Sequence, residues 1–119
     1  MSSFENLQVW NLAIQLAKDV YQLTSSFPKN EQFGLTDQIK RSTVSISANI
    51  AEGVGRYHVK DQKKFFYNAR GSLYETQSHL HLATKIFNLE PSQADPIFQQ
   101  LRNLSVKLNN FINSIGKQL

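Results

Sequence analysis

The sequence predicts an all-α protein, an antiparallel up-and-down four-helix bundle. Three observations carry this expectation. Apolar residues recur at alternating spacings of three and four. Strand-type alternation is absent over any useful length. The five glycines and three prolines fall at just a few places and divide the chain into four segments joined by short connections. With 119 residues, no Gly/Ser linker and no internal repeat, a single domain spans 1–119.

The first helix is expected at about 4–25, with Ser2-Ser3 as N-cap and a stop before Phe27-Pro28. The second is expected at about 35–54, ending at Gly53-Val54-Gly55. The third, at about 60–88, starts near Asp61 and ends ahead of Pro91. The fourth, at about 95–117, opens on Asp95 as N-cap with Pro96 at the first helical position. The third helix's seam reads Phe66, Ala69, Leu73, Thr76, Leu80, Ala83, Phe87, and the fourth's reads Ile97, Leu101, Leu104, Leu108, Phe111, Ile115. Such repeats suit helices packed at a shallow angle.

The first two helices carry more apolar surface than one bundle buries. Trp10, Ile14, Ala17 and Tyr21 form one stripe of the first helix, read as its core side, with Leu12, Leu16 and Leu23 on the far side. On the second, Leu35, Ile39, Ile46 and Ile50 form the core stripe, while Val44, Ala48 and Ala51 sit nearly opposite. The expected oligomer interface is therefore Leu12, Leu16, Val44, Ala48 and Ala51.

Composition removes several function classes. With no cysteine, disulfides, thiolate metal sites and thiol catalysis are excluded. No apolar run approaches a membrane span and no targeting segment stands at the N-terminus, so a cytoplasmic protein is expected. The formal charge is +4. It is concentrated: residues 40–70 hold Lys40, Arg41, Arg56, Lys60, Lys63, Lys64 and Arg70 against Glu52 and Asp61, a net +5, while the rest of the chain is −1. On the third helix Tyr67 and Tyr74 interleave with Lys60, Lys63, Lys64 and Arg70, on the side read as opposing the core stripe, with Lys85 further on. Clustered positive charge suits phosphates, and tyrosines can stack on exposed bases. The candidate nucleic-acid-binding residues are Lys40, Arg41, Arg56, Lys60, Lys63, Lys64, Tyr67 and Arg70.

A polar stripe on the second helix, Gln38, Ser42, Ser45, Asn49 and Glu52, adjoins its core stripe. It is read as a structural network between helices, with Asn49 and Glu52 buried and Glu52 paired to Arg41 or Arg70. Glu75 and His79 could form half a metal site, but Ser78 stands where a Glu-x-x-His pair needs histidine, and Gly55 does so after Glu52. Gly53-Val54-Gly55 follows no strand and lacks a third glycine, so no dinucleotide loop is expected. No serine has an identifiable base. Neither metal, cofactor nor enzymatic activity is expected.

These residues also carry a resemblance. Phe27-Pro28, Glu31, Phe33-Gly34-Leu35, Gln38-Ile39, Arg41, Ser45, Asn49-Ile50-Ala51-Glu52-Gly53 and then Ala69-Arg70-Gly71-Ser72-Leu73-Tyr74-Glu75, with Trp10 and Tyr21, resemble the 23S ribosomal RNA intervening-sequence proteins over nearly the whole chain. The resemblance implies an up-and-down bundle, a ring-like homopentamer and a bacterial setting, with members encoded inside insertions in ribosomal RNA genes. A related branch is the basic, pentameric accessory protein of diversity-generating retroelements, which works with a reverse transcriptase and nucleic acid. No enzymatic activity is attached to the family. The expected function is a non-enzymatic oligomer that binds structured RNA through its basic face. The alternative is a protein-interaction scaffold with no direct nucleic-acid role.

Overall fold

Four helices, α1 (Gln8–Thr24), α2 (Leu35–Val54), α3 (Val59–Phe87) and α4 (Pro91–Ser114), build the computed structural model, which describes residues 3–117. Short 3-10 turns at Phe4–Asn6 and Lys29–Glu31 precede α1 and α2, and no strand occurs among the described residues. Every neighbouring pair runs antiparallel. Across α2 and α3, Ser42 meets Thr76 and Ser45 meets Ser72. Across α3 and α4, Phe66 stacks on Phe111 and His81 on Phe98. Gln100 of α4 reaches back to Asp19 of α1. Each helix packs on two neighbours while the diagonal pairs stay apart, giving a square prism of 49 × 24 × 20 Å. No helix is long and apolar enough to cross a membrane among the described residues.

The core stripes of α2 and α3 and the first part of that of α4 fall where the sequence places them, with Ile39, Ile46, Ile50, Phe66, Leu73, Leu80, Leu101, Leu104 and Leu108 at most 1% exposed; at the end of α4 Ile112 takes the core position, and Phe111 and Ile115 are half-buried. On α1 the core side lies between the two stripes read from the sequence. Val9, Ala13, Leu16 and Val20 form the core side, and Leu16, expected at an interface, is fully buried with Leu12 half-buried. Ile14 and Tyr21, expected inside, are 40% and 48% exposed. The face that turns inward is the one carrying Val9, Ala13 and Val20, and Trp10, Leu12 and Leu23 pack at its two margins, half-buried; at the margin the tyrosine hydroxyl and tryptophan indole keep access to water. Trp10 is half-buried and meets the edge of Phe4, at 5.1 Å between ring centroids.

Two helix starts also differ from expectation. The expected Ser2 cap lies outside the described residues, and Ser3 makes no side-chain cap bond. Leu7 is extended, at φ −82° and ψ 131°, so α1 begins only at Gln8. The Asn11 amide donates to the Glu5 and Leu7 carbonyls, both at 3.0 Å, and so closes the preceding turn. At the fourth helix the sequence offers two Xaa-Pro starts, and the earlier one is used. Glu90 is the N-cap, Pro91 takes the first position, and the Glu90 N–H donates to Gln93 Oε1 at 3.2 Å. Pro96 then lies inside α4. The added turn buries Ala94, and Pro96, which has no N–H, leaves the Ser92 carbonyl without its intrahelical partner. α3 closes on Asn88 in the left-handed conformation, φ 52°, a role asparagine tolerates.

Gly53 does not stop α2. It is buried within the helix, and a Cβ there would stand 2.5 Å from Phe66 Cε1 and 3.0 Å from the Gln62 carbonyl oxygen. The missing side chain lets α2 and α3 close at that level. Gly53→Ala should therefore destabilise the fold by about 1–3 kcal/mol despite alanine's better helix propensity, read as a lower urea midpoint. A variant as stable as wild type would show that Phe66 shifts freely.

Candidate nucleic-acid interface

The polar stripe of α2 resolves into two parts. Ser42 and Ser45 meet hydroxyls of α3: Thr76 Oγ1 lies 2.8 Å from Ser42 Oγ, and Ser72 Oγ donates to Ser45 Oγ at 2.9 Å. Ser42 and Thr76 are both buried. Each hydroxyl has a single proton, so one donates across the seam while the other can donate to its own helix, to the Ile39 or Ser72 carbonyl. The other part makes no hydrogen bond to α3 among the described residues. Asn49 is half-buried and bonds within α2, donating to Ser45 Oγ and to the Ser45 carbonyl at 2.9 Å each. Glu52 and Gln38 are exposed, and Glu52 pairs with Arg56 four residues on, at 2.5 Å. The expectation of buried, inter-helix Asn49 and Glu52 is therefore corrected. A carboxylate near a helix end reaches water more cheaply than it pairs inside. Thr76, read as part of an apolar stripe, and Ser72 are the seam partners that sequence reasoning missed. A threonine inside an apolar repeat, opposite Ser42, was the available signal.

The eight candidate nucleic-acid residues divide between two faces. Lys40 and Arg41 lie by the α1/α2 groove, where Lys40 Nζ stands 4.9 Å from the Tyr21 ring centroid and Arg41 pairs with Asp37 at 2.8 Å. Arg56 sits at the α2–α3 corner, pairing with Glu52 and lying 4.6 Å from the Phe65 ring centroid. Lys60 and Lys64 are exposed beyond that corner. Lys63 and Arg70 are half-buried on the flank next to α4, not opposite the core as the sequence reading had them. Arg70 Nη1 donates to Asn109 Oδ1 at 3.1 Å, and its guanidinium lies 4.9 Å from the Tyr67 ring centroid. The reason is angular, since Lys63 and Arg70 stand only about 40–60° from Phe66 around the helix. Among the described residues Lys60, Lys63, Lys64 and Arg70 have no carboxylate within 4.0 Å.

On the opposite side, Ile14, Tyr21, Val44 and Ala48 form an exposed strip beside half-buried Ala17 and Ala51. The apolar strip expected at an interface is thus built by α1's Ile14 and Tyr21 with α2's Val44, Ala48 and Ala51, without Leu12 or Leu16. His79 Nε2 lies 3.7 Å from Glu75 Oε2, and no third His, Asp or Glu joins them in a metal-ligating group among the described residues.

An antiparallel four-helix bundle with a hydroxyl-stitched α2/α3 seam and an unpaired basic flank defines the class of protein. A family model described as 23S rRNA-intervening sequence protein matches residues 5–110, and the chain belongs to that family. It is also similar to the crystal structure of a protein of unknown function from the S23 ribosomal protein family of Bacteroides thetaiotaomicron, with a TM-score of 0.80 and 26% identity. That likeness covers 89% of this chain and 99% of the other. No curated protein matches the chain.

The two kinds of polar contact should differ in stability. Ser42→Ala should cost about 1 kcal/mol, and the Ser42→Ala/Thr76→Val double variant less than the sum of the singles, because each hydroxyl then leaves no stranded partner. Glu52→Ala, which removes an exposed i,i+4 pair, should change stability by less than about 0.5 kcal/mol. Urea unfolding of the four variants checks both. Additive Ser42 and Thr76 effects would deny the coupling.

Proposed function

We propose that this protein is a non-enzymatic RNA-binding module that works in the cytoplasm as a homo-oligomer, in line with the ring-like homopentamer that its family resemblance implies. One observation supports the RNA reading most directly: cationic side chains at the start of α3 lack carboxylate partners, whereas Arg41 and Arg56 are paired within α2 or at its end. Unpaired lysines are free to displace condensed counterions from a phosphate backbone. The family's descriptive name, tied to an intervening sequence of ribosomal RNA, fits this reading. The self-association reading rests on the exposed Ile14, Tyr21, Val44 and Ala48 strip, which a second copy would cover. Repetition of a weak basic patch around an oligomer raises its effective affinity without new contacts.

RNA affinity should fall steeply with salt, and each lost phosphate contact should lower the log–log slope by roughly 0.7–0.9. Lys63→Glu with Lys64→Glu should weaken binding across unrelated sequences while circular dichroism stays unchanged. Wild type that binds no RNA at low salt would remove the reading and leave the scaffold role. Ala48→Arg should shift the protein to monomer in light scattering, because a guanidinium placed in a packed interface loses water without gaining a partner. An already monomeric wild type would remove the oligomer.

A further inference from the structure

We infer that the outer face of α3, beside α4, is a track for single-stranded RNA, in which bases stack on Tyr67 and Tyr74 at the edge of the bare backbone of Gly71; this rests on the RNA-binding reading above. The first observation is a stripe. At 100° per residue, Lys60, Lys63, Tyr67, Arg70, Tyr74, Ser78, His81 and Lys85 fall in one sector of about 80° that runs ~37 Å along α3. No carboxylate shares that sector. The two acidic residues of α3, Asp61 and Glu75, lie elsewhere around the helix. The bonds of Arg70 to Asn109 and the packing of His81 on Phe98 place this sector beside α4. Lys64 lies outside it, so the stripe is not simply the basic run of the sequence.

The second observation is independent of charge. Gly71 sits mid-helix and exposed, and a Cβ built there would meet nothing within 4 Å. Glycine is among the least favourable residues in a helix interior, and packing within the subunit does not require it here. Its neighbours one turn away on either side are Tyr67 and Tyr74, 46% and 49% exposed. The gap therefore lies between two half-open aromatic rings, at a point where a ligand could approach the backbone. Tyr67 is held by the Arg70 guanidinium, itself fixed by Asn109, so the platform is pre-organised. An A-form duplex keeps its base faces stacked inside and would leave the tyrosines unused, whereas a single strand offers a π-face at each base.

The test uses the full chain and a labelled single-stranded RNA of about 12 nucleotides, with a duplex of equal length for comparison. Tyr74→Ala should weaken single-strand binding about 5- to 100-fold with little change in salt slope, because stacking and not charge is removed. Gly71→Gln should weaken it at least about 5-fold while raising the melting temperature, a pairing that a purely structural role for Gly71 would not produce. Phe33→Ala, which removes an 88% exposed aromatic from the connection between α1 and α2, should leave affinity unchanged. Wild-type binding that both Tyr74→Ala and Gly71→Gln preserve would overturn the track while leaving the RNA reading standing. Tighter binding of the duplex than of the single strand would also overturn it. Absence of binding by wild type to either RNA would overturn both.

Discussion

The close approach of α2 to α3 is the constraint on which the rest of the structure depends. At one end of the pair Gly53 gives up its side chain to the Phe66 ring. Further along, hydroxyls replace bulk, with Ser45 on Ser72 and Ser42 on Thr76. Small groups allow two backbones to come near, and hydrogen bonds make that nearness specific, since a slip along the axis would strand buried hydroxyls. Phe66 then hands the arrangement on. Its other contact is the Phe111 ring, 4.9 Å away between centroids, which positions α4. At the far end Phe27, from the α1–α2 connection, meets Phe87 at the end of α3, also at 4.9 Å. The bundle is thus closed by aromatic pairs near its ends and by a polar seam between them.

That seam also explains the glycine of the Asn49-Ile50-Ala51-Glu52-Gly53 run. Read as a sequence, it stands where a helix stops. In the structure it is a packing position one residue before the end of α2, and Gly55 takes the C-cap. The remainder of the run divides its labour. Ile50 fills the core, Asn49 braces Ser45, Ala51 lies partly open toward the apolar outer strip, and Glu52 pairs with Arg56 at the surface. One helical turn therefore serves the core, the seam and two outer faces.

The fold was largely legible because glycine, proline and apolar periodicity agree over α2 and α3, where expected and observed bounds differ by a residue at most. The misses have separate physical causes. On α1 apolar residues spread around most of the helix, so spacing could not say which sector faced inward; the core takes the sector of Val9, Ala13, Leu16 and Val20, between the two stripes the sequence offered. On α4 both Glu90-Pro91 and Asp95-Pro96 are valid starts, and the structure uses the first, where Gln93 accepts from the Glu90 N–H. In the candidate interface, spacing gave the cations but placed Lys63 and Arg70 opposite the core. Angular bookkeeping from Phe66 puts them on its flank, and only the neighbouring Asn109 reveals what that flank touches. Gly71 was visible in the sequence, but its significance was not, because open space is a property of the folded surface.

The geometry separates the two uses proposed for the outside of the molecule. In a square bundle ordered α1, α2, α3, α4, the α1/α2 face and the α3/α4 face are opposite sides of the prism. A copy docked on Val44 and Ala48 covers the α1/α2 face of one subunit and, in a ring, does so with a different face of its own. Lys40 and Arg41 stand on the docking side, beside the apolar strip, so their contribution to RNA binding would compete with assembly. Charge reversal at Arg41 should accordingly be read first in oligomeric state, and charge reversal at Lys63 in salt-dependent affinity.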